Sequence, residues 1–225
     1  MSAISSRVAI WVCCFIQLPM YLVSLPLHAD DNAVNITATM SHIDTLHNGR
    51  PVRIQRNPDI GNVVPFDYSR TSRPCPRYCI QPMQLAPLVE TIGELELLEY
   101  LRRIGERDPG ILVIDSREGD WISNGMIPGA VHMPWTWFHS TTSKPADIAR
   151  VFEDEFGVIR NGEIWDFNDA RTLVFYCNGP WCGQSPSTVR SLLTAGYPPQ
   201  RIKWYRGGMQ NWLLFGLTVI KPKQN

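Results

Sequence analysis

The pattern of hydrophobic and polar positions changes near residue 91, where irregular sequence gives way to regular periodicity. Apolar residues then recur at helical spacing, at Leu95, Leu98, Leu101 and Ile104. Thr91 and Glu94 precede most of this run in the arrangement of a capping box. The pattern therefore predicts a helix that begins beside Thr91 and opens a regular domain over residues 91–225.

Short apolar runs and helical patterns alternate through this domain. The runs typical of strands cover residues 111–114, 130–133, 173–176 and 202–205, and the helical patterns cover residues 146–156, 186–195 and 209–215. Such alternation predicts an α/β fold with a parallel sheet and right-handed crossovers. Because sites in parallel sheets form beyond the carboxyl ends of the strands, we expect Asp115, Cys177 and Arg206 at one edge of the sheet.

Residues 30–90 have a different texture, which predicts a small β-containing extension against the main domain. Asn48-Gly49 is a favourable hairpin turn, and alternating Val52 and Ile54 follow it. Proline and polar residues dominate the remainder, and residues 73–83 are too rich in proline to form a helix.

The first 29 residues predict a secretory signal peptide. Arg7 precedes an apolar stretch over residues 8–27, and polar Asp30-Asp31 follows. The stretch is long and its small-residue cleavage site is imperfect, so a retained membrane anchor is the alternative. A glutamine and two prolines interrupt the stretch, which favours cleavage after Ala29 and a periplasmic or secreted mature chain.

Composition excludes several classes of partner. The chain has 225 residues, 44% of them hydrophobic, and 21 basic side chains balance 21 acidic ones. No net field attracts nucleic acid or an anionic membrane, and we expect no membrane contact once the signal is removed. The sequence contains no nucleotide-binding loop, and no organic cofactor is implied.

Four cysteines remain after removal of the signal peptide, and they form two close pairs. Cys75 and Cys79 lie in the proline-rich segment, where we expect a structural disulfide in an oxidising compartment. Cys177 and Cys182 lie in the regular domain. Zinc sites usually carry Cys-x2-Cys pairs, and neither pair has this spacing, so no metal is predicted.

Cys177 stands where an apolar strand ends and a helix is about to begin. Ser185 fits the N-cap of that helix, Pro186 its first residue and Gly196 its C-terminal stop. Loop amides and the helix N-terminus would then face Cys177 and lower the pKa of its thiol. The alternative is that Cys177 is a small buried hydrophobic residue.

Four segments, taken in order, resemble the rhodanese-like domain. They are residues 112–118 (LVIDSRE), residues 125–134 (GMIPGAVHMP), the loop that starts at Cys177, and residues 205–212 (YRGGMQNW). The resemblance spans about residues 91–220. It implies a three-layer α/β fold with a parallel sheet of about five strands, and a Cys177 nucleophile that carries sulfane sulfur as a persulfide.

The same resemblance suggests roles for neighbouring residues. Asp115 and Arg117 match the Asp-x-Arg of the family and are expected to support the loop, while His132 is expected to be a packed strand residue. The candidate substrate-binding residues belong to the loop: Asn178, Gly179, Pro180, Trp181, Gly183 and Gln184.

The chain departs from the family at Cys182. Rhodaneses active on thiosulfate commonly carry a cation five places after the cysteine, and Cys182 occupies that position. Arg190 and Arg206 are the nearby cations that remain as candidates. Gly183 occupies the next position, so the Cys-x5-Arg loop of related phosphatases is absent. A second thiol at Cys182 is a candidate to attack a persulfide or mixed disulfide on Cys177.

Three functions fit these residues. The first is sulfur transfer through Cys177, with Cys182 as a resolving catalytic thiol. The second is thiol-disulfide oxidoreduction, and the third is a non-catalytic binding or sensing module. The expected partners are a small sulfur donor or thiol acceptor, with a redox protein as a further candidate.

Overall fold

A computed structural model describes residues 33–221 of the chain. The predicted signal peptide, residues 1–29, lies outside the described residues. The strands are β1 (His42–His47), β2 (Arg50–Gln55), β3 (Glu90–Ile92), β4 (Ile111–Asp115), β5 (Val131–His132), β6 (Ile159–Asn161), β7 (Ile164–Asp166), β8 (Thr172–Tyr176) and β9 (Ile202–Tyr205). The helices are α1 (Phe66–Ser69), α2 (Glu94–Gly105), α3 (Gly119–Ile122), α4 (Pro145–Asp154), α5 (Gln184–Thr194) and α6 (Gly208–Leu214).

The centre of the fold is a five-stranded sheet in the order β3-β9-β8-β4-β5, and every adjacent pair is parallel. The predicted α/β class and the parallel sheet of about five strands are confirmed. Strand β8 lies in the middle, and its residues 173–176 are completely buried. Covering on both faces explains why this strand is a continuous apolar run rather than an alternating one.

Helices cover both faces of the sheet and give three layers. On one face, α2 and α6 pack with the β1–β2 hairpin around Leu97, Leu101 and Trp212. On the other face, α4 and α5 pack around Phe152 and Leu192. The second core is rich in stacked and edge-to-face aromatic rings.

The start of the regular domain differs from the prediction. Thr91 belongs to strand β3, where it pairs with Trp204, and the N-cap of α2 is Gly93. The Glu96 carboxylate accepts a hydrogen bond from the Gly93 backbone nitrogen at 3.0 Å. The predicted capping box at Thr91 and Glu94 is therefore wrong, because the backbone of Thr91 is committed to the sheet.

The N-terminal extension contains the predicted hairpin. Strands β1 and β2 are antiparallel, and Asn48 and Gly49 form the turn with φ values of 50° and 74°. Positive φ at both positions is what a type I′ two-residue hairpin turn requires. The Thr45 hydroxyl donates a buried 2.6 Å hydrogen bond to the Leu101 carbonyl, which ties the hairpin to α2.

A second hairpin, β6–β7, was not predicted. Its strands have three residues each, and Ile159 and Ile164 are exposed. Strands this short and this exposed leave little apolar periodicity for a sequence pattern to show. Among residues 33–221, no helix has the length and apolar content needed to cross a membrane.

The contact between α2 and the hairpin leaves no room for a side chain at Gly105. A Cβ there would meet the Asp44 carbonyl oxygen and lie 3.0 Å from the Thr45 Cα. We predict that Gly105→Ala lowers the free energy of unfolding by about 1–3 kcal/mol, as overpacking of a tight contact does. Urea denaturation measures this change. Gly119→Ala is the matched control, because nothing lies within 4 Å of that position, and an equal loss in both variants would contradict the close packing.

Candidate active site

Cys177 is the first residue after β8, and backbone contacts from α6 hold the loop that it begins. The Met209 nitrogen donates to the Cys177 carbonyl at 3.0 Å, and the Gln210 nitrogen donates to the Asn178 carbonyl at 2.9 Å. Gly208 allows this approach: it has a φ of 56°, and a Cβ there would meet the Cys177 carbonyl oxygen and lie 2.7 Å from the Gly179 nitrogen. The parallel sheet therefore brings the ends of β8 and β9 together at Cys177.

Donors surround the Cys177 sulfur. The residue is only 2% exposed, and the Ser185 hydroxyl donates to its Sγ at 3.1 Å. The Trp204 indole nitrogen donates to Ser185 Oγ at 3.1 Å, which leaves the Ser185 proton directed at the sulfur. Burial alone would raise the pKa of Cys177, but hydrogen bonds from Cys182, from the Ser185 side chain and from the Ser185 and Gly179 amides lower it below its ordinary value.

The helix after the loop begins two residues earlier than predicted. Helix α5 starts at Gln184 with Gly183 before it, so Ser185 is not the N-cap and Pro186 is not the first helical residue. The Ser185 hydroxyl is bound to the Cys177 sulfur and the Trp204 indole instead. Ser185 is thus a site residue whose role the capping pattern concealed.

Cys182 has the opposite electrostatic environment. It is 3% exposed, and burial, its hydrogen bond to Cys177 and the negative charge on Cys177 together raise the pKa of its thiol. The Asn178 side-chain nitrogen lies 3.9 Å from the Cys182 sulfur, and the Gln184 side-chain oxygen lies 3.6 Å from it. Both cysteines are unbonded thiols. The pair therefore consists of a thiolate-stabilising position and a neighbouring proton donor.

A buried ion pair lies beside the loop at the end of β4. Arg117 and Asp115 are completely buried, with Arg117 Nη2 at 2.6 Å and Nε at 2.9 Å from the Asp115 carboxylate oxygens. The Tyr176 hydroxyl donates to the same carboxylate at 2.7 Å. His132 accompanies this cluster from the edge strand β5 with its ring 2.8 Å from the Arg117 carbonyl, but it is exposed, so its predicted packed position is wrong.

Tyr68 connects the ion pair to the loop. Arg117 Nη1 donates to the Tyr68 hydroxyl at 2.9 Å, and that hydroxyl donates to Asn178 Oδ1 at 3.1 Å. Burial raises the pKa of Tyr68 to about 12, so it remains a neutral donor. Tyr68 lies in the N-terminal extension on the one-turn helix α1, whose four residues carry no periodicity that the sequence could reveal.

The extension also contacts the outer side of the loop. The Gln81 nitrogen donates to the Pro180 carbonyl at 2.9 Å, and Arg206 Nη2 donates to the Gln81 carbonyl at 2.9 Å. A disulfide joins Cys75 to Cys79 in this segment. Arg206 therefore binds the extension and does not place a cation beside the sulfurs of Cys177 and Cys182.

A cleft of about 420 Å³ opens beside Cys182. Six of its lining residues are Arg77, Tyr78, Trp121, Trp135, Trp181 and Cys182. Of the loop residues predicted to bind substrate, Asn178, Trp181 and Gln184 also line this cleft.

The other predicted binding residues act through their backbones or lie elsewhere. Gly179, Pro180 and Gly183 are not among the residues that line this cleft. The Gly179 amide donates to the Cys177 sulfur, and the Pro180 carbonyl binds the extension. Cys177 itself does not line the cleft, but its Sγ lies 3.5 Å from the carbonyl oxygen of Cys182, which does. Arg190 is exposed on α5 and lines a separate depression.

A larger depression, of about 540 Å³, lies away from the cysteines beside Phe152 and Trp165. No cysteine lines it, so the cleft at Cys182 is the candidate site. Over residues 33–221 there is no group of three or more histidine, cysteine or acidic side chains placed to hold a metal ion.

Comparison with known proteins gives one family and several similar structures. The family model described as Rhodanese-like domain matches residues 97–214, more than half of the chain. No curated protein matches.

Three solved structures illustrate the similarity. A protein of Bacillus halodurans is 18% identical, with 60% of this chain and 78% of that chain covered and a TM-score of 0.42. A thiosulfate sulfurtransferase of Pseudomonas aeruginosa is 18% identical, with 61% and 21% covered and a TM-score of 0.40. A human single-domain sulfurtransferase is 21% identical, with 56% and 96% covered and a TM-score of 0.36.

The Ser185 hydrogen bond makes a prediction about the titration of the site. It stabilises the charged form of Cys177, so Ser185→Ala should raise the pKa of that thiol by about one to two units. The first thiolate step, followed by absorbance in the far ultraviolet, should move to higher pH by this amount. Ser187→Ala on the same helix is the control, since Ser187 lines the separate depression beside Arg190. An unchanged titration in Ser185→Ala would show that the Ser185 hydroxyl does not lower the pKa of Cys177.

The Tyr68 bridge makes a prediction about stability. Tyr68→Phe leaves Asn178 Oδ1 and one Arg117 hydrogen bond without their partner, which should lower the free energy of unfolding by about 1–3 kcal/mol. Denaturant titration of the two proteins measures the difference. Tyr100→Phe should be nearly neutral, because the half-buried Tyr100 makes no hydroxyl hydrogen bond within residues 33–221. Equal stability of Tyr68→Phe and the parent would show that the bridge contributes nothing.

Proposed function

The chain belongs to the rhodanese-like domain family, and we propose that it transfers sulfane sulfur through a persulfide on Cys177. The observation that carries this proposal is the set of donors aimed at one buried sulfur: the Ser185 hydroxyl and the Ser185 and Gly179 amides. A sulfur acceptor must be ionised to attack, and the persulfide that results also bears a negative charge. The same donors stabilise both anions.

The loading step needs no oxidant beyond the donor. The Cys177 thiolate attacks the terminal sulfur of a donor such as a polysulfide, and a new S–S bond forms as the old one breaks. The remainder of the donor leaves with the electron pair of the broken bond. Cys177 then carries a persulfide anion, and no proton has to move when the attacking group is already a thiolate.

We further propose that Cys182 resolves this persulfide. Its place beside Cys177, whose Sγ lies 3.5 Å from the Cys182 carbonyl oxygen, and its raised pKa support a role as a neighbouring thiol that keeps its proton until it reacts. Attack by the Cys182 sulfur on the Cys177 sulfur forms a Cys177–Cys182 disulfide, and hydrosulfide leaves with the Cys182 proton. An external dithiol must then reduce the disulfide before the next cycle.

The extension supports the proposal that the mature protein is exported. The Cys75–Cys79 disulfide is of the kind that persists in a periplasm or extracellular space. The expected partners are a small sulfur donor, a thiol acceptor and a reducing protein for the Cys177–Cys182 disulfide.

Measurements of turnover distinguish sulfur transfer from two alternative functions. A thiol-disulfide oxidoreductase would reduce a standard disulfide substrate without any sulfane donor, and the buried, adjacent thiols of Cys177 and Cys182 are the feature that favours it. A binding or sensing module would load sulfur without releasing it repeatedly.

Three cysteine variants test the assignment. With saturating polysulfide, Cys177→Ser should lose the added sulfur seen by intact-protein mass spectrometry, because a hydroxyl stays protonated and holds no persulfide. Cys75→Ser should still load at saturating polysulfide, since none of the donors to the Cys177 sulfur lies in the loop that this disulfide closes. Cys182→Ser should load but release hydrosulfide more slowly than the parent. Undiminished loading in Cys177→Ser would disprove the nucleophile, and unchanged release in Cys182→Ser would disprove the resolving step.

A further inference from the structure

The cleft beside Cys182 is completed by residues that lie outside the matched family region. Arg77 and Tyr78 sit within the short loop closed by the Cys75–Cys79 disulfide. The Gln81–Pro180 hydrogen bond and the Arg206 contact to the Gln81 carbonyl hold this loop against the cysteine loop. The extension thus supplies one wall of the site.

That wall is aromatic and continues across the cleft. The ring centroids of Tyr78 and Trp181 are 5.1 Å apart, and those of Trp121 and Trp181 are 6.2 Å apart. The Arg73 guanidinium lies 4.8 Å from the Tyr78 centroid and 5.1 Å from that of Trp181. Its Nη2 donates to the Asp67 carbonyl, while its buried Nε has no hydrogen-bond partner within the described residues, so the rest of the guanidinium contacts aromatic faces. Arg73 therefore packs against the aromatic wall but is not one of the residues that line the cleft.

Two charged side chains line the cleft, and only one of them is a cation. Arg77 is exposed, and no acidic side chain lies within 4.0 Å of it to form an ion pair among residues 33–221. Glu118 is partly committed, because its carboxylate accepts a hydrogen bond from the Trp135 indole nitrogen at 3.0 Å. Arg77 is thus the group available to pair with an anion on a ligand.

Aromatic walls with a single cation select against a small inorganic anion. Thiosulfate presents three oxygens that need several donors, whereas indole and phenol faces offer stacking to a planar apolar body. A volume of about 420 Å³ falls within the range of sites for small organic ligands.

We propose that this cleft binds an organic anionic sulfur donor with an aromatic or planar apolar body, which packs on Trp121, Trp135 and Trp181 while its anionic group pairs with Arg77. The inference rests on the proposed function, since the donor delivers its sulfur to Cys177. An aryl thiosulfonate serves as the probe. The Cys177 thiolate takes its terminal sulfur, the bond between the two donor sulfurs breaks, and the aryl sulfinate leaves with the electron pair and keeps a negative charge beside Arg77.

The test compares three donors that share the reaction and differ in the group behind the transferred sulfur. Persulfide formation on Cys177 is measured against the concentration of benzenethiosulfonate, methanethiosulfonate and thiosulfate. The aryl donor should reach half-saturation at a concentration about tenfold lower than the methyl donor, which corresponds to the contribution of about one aromatic contact. Thiosulfate should be the weakest. Equal half-saturation for all three would overturn the proposal.

Two variants locate the effect. Arg77→Gln should raise the half-saturating concentration of benzenethiosulfonate about twofold to fivefold, as expected for a partly exposed ion pair, while Arg190→Gln on the separate surface should leave it unchanged. Trp135→Leu should reduce the preference for the aryl donor over the methyl donor. Equal effects of Arg77→Gln and Arg190→Gln, or an unchanged preference in Trp135→Leu, would overturn the site.

Binding without chemistry separates this inference from the proposed function. Benzenesulfinate should quench tryptophan fluorescence in Cys177→Ser, and the addition of Arg77→Gln should weaken that binding. Absence of persulfide with every donor, together with this Arg77-dependent binding, would refute sulfur transfer and leave the cleft assignment standing. Normal persulfide formation without benzenesulfinate binding would refute the cleft alone.

Discussion

The ion pair between Asp115 and Arg117 is the interaction on which the rest of the site depends. Both side chains are completely buried, and a buried guanidinium is tolerated only when its charge and its hydrogen bonds are matched. Asp115 supplies the charge, and the Tyr68 hydroxyl and two backbone carbonyls take the remaining hydrogen bonds of Arg117. Each partner comes from a different part of the chain, so the pair joins β4, the following loop and the extension at one point. Removal of either side chain would leave the other as a buried charge without a counter-charge.

This requirement makes the N-terminal extension part of the site rather than an addition to it. Tyr68 completes the coordination of Arg117 on one side and binds Asn178 on the other. Gln81 holds the opposite side of the loop through Pro180. The loop that begins at Cys177 is therefore held on its inner side by the ion pair and on its outer side by the extension. A domain with the same sheet but another extension would have the same cysteine with a different cleft in front of it.

The sequence predicted the elements that a repeated hydrophobic pattern marks. It did not predict the roles of residues that depend on a single contact in the folded protein. The buried strands around Val113 and Val174 are long enough to be recognised, and their alternation with helices predicts the parallel sheet and its functional edge. The predicted N-cap at Ser185 is wrong, because the Ser185 hydroxyl binds the Cys177 sulfur rather than a backbone amide at the start of the helix. Tyr68 and Arg77 lie in irregular sequence, and their approach to the loop depends on contacts between residues far apart in the chain. No local spacing carries that information.

The two cysteines show how one loop can give the same functional group two roles. Both thiols are buried, and burial alone would raise both pKa values. The donors in the loop converge on Cys177, so its anion is stabilised, and that anion in turn makes ionisation of Cys182 harder. The position that commonly holds a cation in rhodaneses active on thiosulfate is thus filled by a thiol, which donates its hydrogen bond to Gln184 Oε1 and whose raised pKa keeps it protonated. A cation there would stabilise the Cys177 anion through charge and would persist after reaction, whereas in the proposed resolving step the Cys182 thiol gives up its proton. Under the proposed resolving step, this position exchanges a fixed electrostatic group for a reactive one, and Arg77 is the cation proposed to recognise an anionic ligand in the cleft.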